Sequence, residues 1–516
     1  MTGGGLIALV AYGAQNVLLS GNPQMTYFFK AFRRYSHFAT ENVTTAMDGP
    51  NELFFDQSIK LRSKIQRVGD LVSDMYFSFT IPDIYSKYID PSVRTFQYEF
   101  QWVHFLGAAI INNVAFYVGG QKIQEFDGAY IMTKAISDYD STSYEKWKYL
   151  IGETAELTNP SNGAFAGGTN TTGYPSVFPS TQANRPSIFG QDIHVPLPFW
   201  FTDATTQALP LVGLQLHECE IQITLNPIEQ LYTYLDPAGF RVSPNFRMNE
   251  SITNIRANNP SYGTTNDASG QIKYFLTDFG TSAPKLNTWP IFNPRIQTTY
   301  VYLPKEEQTI FATSQLSYLI HQVTPYRTPG LYNRKILDLE THNPITRLLF
   351  VTQRSDAINR NDFSNFTNWF NFPFPPHIPS PGEISSDSST ANAAAFSSGI
   401  LVPNGQRDIL RNIRVLCDGN EIQEEKPIDY FTKIVPFKYV SGSPKTLVPI
   451  YSFALHSPST QPSGSLNSSR IRNFQVEVDV YPLPINTNYT YDLTIYVENI
   501  NFFEVASGMG GLKYAL

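Results

Sequence analysis

Charge is scarce in this 516-residue chain, where Asp, Glu, Lys and Arg together make up 16%. The net charge of −7 leaves no general footprint for nucleic acid, and no sequence-specific nucleic-acid binding is expected. Cysteine is scarcer still. Cys219 and Cys417 cannot staple a chain of this size, so a disulfide framework is excluded and both read as small buried thiols in a reducing compartment. Long apolar runs are missing too. GGGLIALVAYGAQNVLL near the start is interrupted by Gln15 and Asn16, short of the ~20 residues of a membrane span. It lacks the basic flank of a signal peptide, and Thr2 breaks the myristoylation pattern, so it reads as a buried or docked arm.

Chemistry is equally sparse. There is no Walker loop, no H-E-x-x-H, no paired C-x-x-C and no EF-hand loop. GMGGLK at 508–513 lacks the G-x-G-x-x-G spacing and has no following helix to hold an anion. In HECE, His217 and Cys219 share one strand face, but without a second ligand pair they read as structural. The carboxylates of NEIQEEKPID are those of any hairpin tip. No catalytic, cofactor-binding or metal-ligating residue is therefore assigned, and no cofactor is expected.

What is present is aromatic and turn-rich. Aromatics reach 14%, with 36 Pro and 32 Gly, the composition of many short strands. Alternation is plain in DLVSDMYFSFTIP, where Leu71, Met75, Phe77, Phe79 and Ile81 share a face. Low charge fits either a surface covered by a partner or an ordinary large β protein.

One hairpin is written twice. FYVGGQKIQEF at 116–126 and VLCDGNEIQEE at 415–425 match at Gly120/Gly419, Ile123/Ile422, Gln124/Gln423 and Glu125/Glu424, all 299 positions apart. Asp418-Gly419 suits a two-residue turn with two positive φ angles. A second landmark repeats in the same order at an offset of 255: CEIQITLNP, with Cys219, Ile221, Ile223 and Leu225 inward, and FQVEVDVYP, with Phe474, Val476, Val478 and Val480 inward. The two offsets differ by 44, so the first half carries an insertion. The low-complexity stretch at 159–190 supplies it, and the second half has its own at 370–405; both read as long surface loops.

Helices are expected over KEEQTIFATSQLSYLIHQV, with Ala312, Leu316, Leu319, Ile320 and Val323 on one stripe, and from Tyr144 in YEKWKYLIGETAEL. The expected fold is all-β: two consecutive eight-stranded jelly-roll barrels with short helices and long surface loops. Residues 1–27 form an arm, 28–236 the first barrel and 237–516 the second, ending in a tail at 505–516. The shared I-Q-E is expected to serve packing. Lys30, Arg33 and Arg34 alternate with aromatics in TYFFKAFRRY, as local ion pairs or as contacts to a phosphate-bearing partner. Among six N-x-S/T sequons, Asn170 and Asn365 are the candidate glycosylation sites. On these residues a structural protein and a tandem jelly-roll carbohydrate-binding protein or hydrolase are both open.

LVAYGAQNVLLSGNPQMTYFFKAFRRYSHFATE at 9–41 resembles the N-terminus of the major capsid proteins of nucleocytoplasmic large DNA viruses. GGQKI at 119–123, ALPLVGLQLHE at 208–218, YSFALHSPSTQPSGSLNSSR at 451–470 and the final ASGMGGLKYAL resemble family segments in the same order. The resemblance implies a double jelly-roll subunit that is not an enzyme. It implies a homotrimer of pseudo-hexagonal outline tiling an icosahedral shell, in contact with neighbouring capsomers and with minor capsid and penton proteins. The arm would face the interior, toward an internal membrane, with Lys30, Arg33 and Arg34 as interior contacts. The protein would reside in the virion, assembled in the host cytoplasm. The loops at 159–190 and 370–405 are longer than in compact algal-virus members and match no family segment residue by residue.

Overall fold

A computed structural model describes residues 3–30, 32–85, 100–158, 186, 188–235, 241–244, 271–277, 284–355, 357, 361–368, 407–444, 448–457, 459–483 and 489–514. Nearly all of the loop at 159–190, with Asn170, and all of the loop at 370–405 lie outside them.

The alternating segments form two β-sandwiches of one topology. In the first, the strands are β1 Ala39–Ala46, β2 Ile59–Lys64, β3 Leu71–Thr80, β4 Ile111–Val118, β5 Gln121–Phe126, β6 Asp192–Pro196, β7 Cys219–Leu225 and β8 Arg295–Tyr302. They pair in the orders β1-β8-β3-β6 and β2-β7-β4-β5. In the second, they are β9 Leu316–Leu331, β10 Lys335–Asp338, β11 Pro344–Arg354, β12 Leu410–Cys417, β13 Asn420–Pro427, β14 Ile450–Ser452, β15 Phe474–Val480 and β16 Tyr491–Ala506. Their orders are β9-β16-β11-β14 and β10-β15-β12-β13, position for position the same jelly roll. A short β17, Met509–Leu512, adds to β16.

The repeated hairpin shares its turn geometry and one ladder irregularity. Gly119 and Gly120 have φ of 58° and 83°, and Asp418 and Gly419 have 49° and 80°, so both turns use two left-handed residues. Val118 faces Gln121 and Cys417 faces Asn420. Both ladders then share one slip: Phe116 opposes Gln124 but Tyr117 opposes Lys122, while Val415 opposes Gln423 and Leu416 opposes Glu421; the second ladder slips once more, between Ile413 and Val415. The 255-residue landmark holds equally, since Cys219 pairs with Val118 and Phe474 with Cys417.

Two expectations are corrected. The first sandwich does not end at 236, because β8 returns at Arg295–Tyr302 to lie between β1 and β3. A jelly roll closes by placing its last strand inside its first sheet, so the division falls after Tyr302. The alternation of RIQTTYVY is visible in the sequence, but its distance from the other strands hid its membership. The helix expected over 305–323 stops at Thr313, where Ser314 turns extended, and Leu316–Leu331 pairs with β16 instead. Leu316, Leu319 and Ile320 satisfy a helical stripe, but a 16-residue ladder overrides local periodicity.

Among the described residues the α-helices of five residues or more are α1 Gly4–Val10, α2 Ala14–Ser20, α3 Gly128–Asp138, α4 Ser141–Leu150, α5 Lys305–Thr313 and α6 Val435–Tyr439. α3 begins where the Asp127 carboxylate accepts the Tyr130 amide N–H at 2.8 Å, a side-chain cap on the first orphan donors. The second sandwich has its own core around Phe350, Ile413, Val476 and Ile495. The core of the first runs on across its neighbour, taking in Ile320, Leu349, Tyr496 and Phe503 of the second. β11 and β16 are therefore covered on both faces, and their side chains are buried almost without alternation.

Phe350 fills the centre of the second core. Phe350→Ala should cost about 3–5 kcal/mol, read as a lowered urea midpoint with an unchanged slope.

Candidate functional site: the joint between the sandwiches and the exposed arm

β5, α3 and the segment around Trp200 and Gln207 of the first sandwich reach the second. β5 and α3, consecutive in the chain, lie across the outer face of β9, β16 and β11. Gln124 Nε2 donates to the His321 carbonyl at 3.1 Å, and its Oε1 accepts from the Trp200 amide at 3.0 Å. In return Gln322 Nε2 donates to the Ile123 carbonyl at 2.5 Å. Gln207 Nε2 donates to the Leu319 carbonyl at 2.9 Å. Apolar contact surrounds these bonds, with Trp200 against Tyr318 and Phe503 at ring distances of 5.2 and 5.5 Å.

At the centre lies a buried ionic network. Arg347 of β11 is 1% exposed and holds two carboxylates in bidentate fashion. Its Nη1 and Nη2 donate to Asp138 of α3 at 2.5 and 2.8 Å. Its Nε and Nη2 donate to Glu498 of β16 at 2.6 and 2.8 Å. The Tyr130 hydroxyl of α3 donates to Glu498 at 2.8 Å, and Lys134 pairs with Asp203 at 2.9 Å. A second link binds Asp127 to Arg327 at 2.7 Å and to the Tyr496 hydroxyl at 2.8 Å. Gly442 donates its amide to the Ser137 carbonyl at 2.7 Å; a Cβ there would lie 2.2 Å from that oxygen, so only glycine fits.

Burial alone would push the Glu498 carboxyl up, but the Arg347 charge, its hydrogen bonds and Lys134 outweigh burial and hold it below its ordinary value. Burial pushes the Tyr130 hydroxyl far up, with the Glu498 charge adding to it. Burial also holds His321 below the usual histidine range. A cavity of about 520 Å³ opens beside the network, lined by Tyr130, Lys134, Asp203, His321, Lys438 and His456 among others. Asp138, Glu498 and Asp203 are each held by a cation, so none stands ready as a general acid or base.

The residues singled out in the sequence lie elsewhere. The first barrel begins at Ala39 rather than at 28, so Lys30, Arg33 and Arg34 belong to an extension of the arm, apart from the joint, and all three are exposed. The arm is not buried or docked on its own chain: its apolar residues stand in solvent, Phe28 at 98% exposure. Asn365 is only 6% exposed, its Nδ2 donates to Asp362 at 3.0 Å and its Oδ1 accepts from Thr367, so this fold leaves no room for a sugar there. His217 Nδ1 contacts the backbone of Gly510, and burial pushes the Cys219 thiol up to about 12. No group of three or more potential metal ligands occurs among the described residues.

The shared I-Q-E has two fates. Ile123 and Gln124 are buried in the joint, whereas Ile422 is 41% exposed. The repeat also continues past the hairpin. Thr133-Lys134 recurs as Thr432-Lys433 at the same offset of 299, and each threonine hydroxyl bonds the carbonyl four residues back, at 2.7 and 3.0 Å. Sequence reasoning found neither the helix repeat nor Arg347 and Glu498, which are ordinary strand residues until the second sandwich is laid against α3.

Comparison with known proteins gives one family. The family model for the major capsid protein N-terminus matches residues 26–257, and that for the large eukaryotic DNA virus major capsid protein matches 307–511. The chain is 26% identical to the major capsid protein of Phaeocystis pouchetii virus, over 99% of both chains. It is 24% identical to that of Paramecium bursaria Chlorella virus 1, again over 99% of both. The fold matches a chain of the PBCV-1 virus capsid quasi-atomic model with a TM-score of 0.63 at 20% identity, covering 95% of this chain and 100% of that one.

Arg347→Met leaves Asp138 and Glu498 buried without a cation and should cost about 3–5 kcal/mol by chemical denaturation. The pH dependence has a definite sign. The Glu498 carboxyl binds its proton more weakly folded than unfolded, so its contribution is complete at neutral pH and fades as pH falls below the ordinary 4.5. Melting temperatures between pH 7 and 3 should therefore fall less steeply for Glu498→Gln than for the wild type.

Proposed function

The chain belongs to the major capsid proteins of large eukaryotic DNA viruses, and from that membership we propose how its copies meet. It is a structural component of the virion, assembling with copies of itself into an icosahedral shell, and not an enzyme. The alternative of a carbohydrate-binding protein or hydrolase gives way to that assignment. Three copies close into a capsomer of pseudo-hexagonal outline. One observation carries this reading: a single chain holds two sandwiches of identical strand order, so three chains present six similar units around one axis.

The outer walls of such a capsomer meet neighbouring capsomers and, at the vertices, penton proteins. The arm turns to the shell interior. Its support is the run of uncovered apolar side chains from Leu6 to Phe38 beside Lys30, Arg33 and Arg34, a surface suited to anionic head groups of an internal membrane or to minor capsid proteins. Assembly in the host cytoplasm agrees with two cysteines that are both free.

Sedimentation velocity on the full chain should give one species of three chains, unchanged on dilution through the micromolar range. A stable monomer there would overturn the reading. Reversing Lys30, Arg33 and Arg34 to Glu should leave that trimer intact and abolish shell assembly; particles of normal yield would remove the interior-contact role.

A further inference from the structure

The cavity of about 520 Å³ beside the ionic network falls in the ~300–1,000 Å³ range of small-molecule sites. Its walls come from both sandwiches. The first supplies α3, and the second supplies β9, β11, β16, the end of α6 and the turn carrying His456, Ser457 and Ser459.

The charges of these walls are unevenly used. Each carboxylate already has its cation: Asp138 and Glu498 share Arg347, and Asp203 has Lys134. What is left over is donors. Lys438 is exposed, lies 5.3 Å from the centre of the Tyr439 ring and has no ion pair among the described residues. The His321 side chain makes no hydrogen bond among the described residues, and even an uncharged imidazole keeps one N–H to give. Ser457 is the sharpest case. It is 3% exposed, and its hydroxyl has no hydrogen-bond partner among the described residues. A buried hydroxyl left unpaired is costly, and it calls for a partner from outside the chain.

The turn that carries Ser457 is fixed before anything binds. The His456 amide donates to Ser463 Oγ at 2.9 Å, that hydroxyl donates to the His456 carbonyl at 3.2 Å, and so does the Ser459 amide at 3.2 Å. Both α3 and α6 end at the cavity, and a helix C-terminus repels anions. Here the Ser137 carbonyl is taken by the Gly442 amide at 2.7 Å and the Pro436 carbonyl by the Val440 amide at 3.3 Å, while Lys438 stands in the last turn of α6. The donors therefore favour an anion. The half-buried rings of Tyr139 and Tyr439, and a volume larger than a bare oxyanion fills, favour one with an organic body.

We propose that this cavity binds a phosphomonoester with an aromatic or apolar body. The phosphate takes the Ser457 hydroxyl, the His321 N–H and the Lys438 ammonium, and the body lies against Tyr139 and Tyr439. Because the walls come from both sandwiches, the ligand binds only when the joint is closed and holds it closed.

Isothermal titration calorimetry on the full chain tests the site with phenyl phosphate, inorganic phosphate and phenol. Phenyl phosphate should bind once per chain and raise the melting temperature. Inorganic phosphate should bind about ten-fold more weakly, and phenol not measurably. Lys438→Met and Ser457→Ala should each weaken phenyl phosphate by about ten-fold. Without ligand, Ser457→Ala should melt no lower than the wild type, because it removes an unpaired hydroxyl, so its lost binding is not lost folding. No saturable binding of phenyl phosphate into the millimolar range, or binding that ignores both substitutions, would overturn the site. A lower melting temperature for Ser457→Ala would show the hydroxyl already paired and overturn it too. Inorganic phosphate binding as tightly as phenyl phosphate would overturn the organic body.

Discussion

Arg347 is the constraint around which the rest is arranged. A guanidinium 1% exposed is tolerated only with its charge matched and its donors used, and here two carboxylates from different sandwiches do both. Asp138 comes from α3 and Glu498 from β16, so the network exists only when the sandwiches lie in one relative position. Apolar contact between β5, α3 and the second sheet supplies bulk stabilisation without direction. The ionic network supplies direction, because a shift of an ångström would leave a buried charge unpaired.

That rigidity is what a shell subunit needs. Two sandwiches of the same topology present two similar sets of edges, but a chain uses each set differently. Gln124 of the first hairpin is spent inside the chain, while its twin Gln423 lies at an outer edge. Equal scaffolds with unequal surfaces let copies associate in one register rather than several, which is the role negative selection plays in specific assembly.

Much of this was legible in the sequence, and the reasons are physical. Strict alternation in Cys219–Leu225 and Phe474–Val480 marked sheets with one buried face, and left-handed turn residues marked both hairpins. Their offsets of 299 and 255 gave the duplication, and ordered resemblances at both ends gave the family. What escaped was whatever depends on distant partners. β9 reads as helix because its partner β16 lies about 180 residues away, and no local propensity encodes a ladder. The boundary after Tyr302 escaped because a jelly roll's last strand is placed by closure rather than by proximity in the chain. Arg347 and Asp138 are 209 residues apart, and a lone arginine in a strand carries no sign of burial.

The central claim is that one chain builds two equivalent units so that three chains make six. Cryo-electron microscopy of the purified full-length protein tests it most directly. The account predicts particles of hexagonal outline with exact three-fold symmetry and six sandwiches around one axis. Particles with two lobes only, or without a three-fold axis, would contradict it.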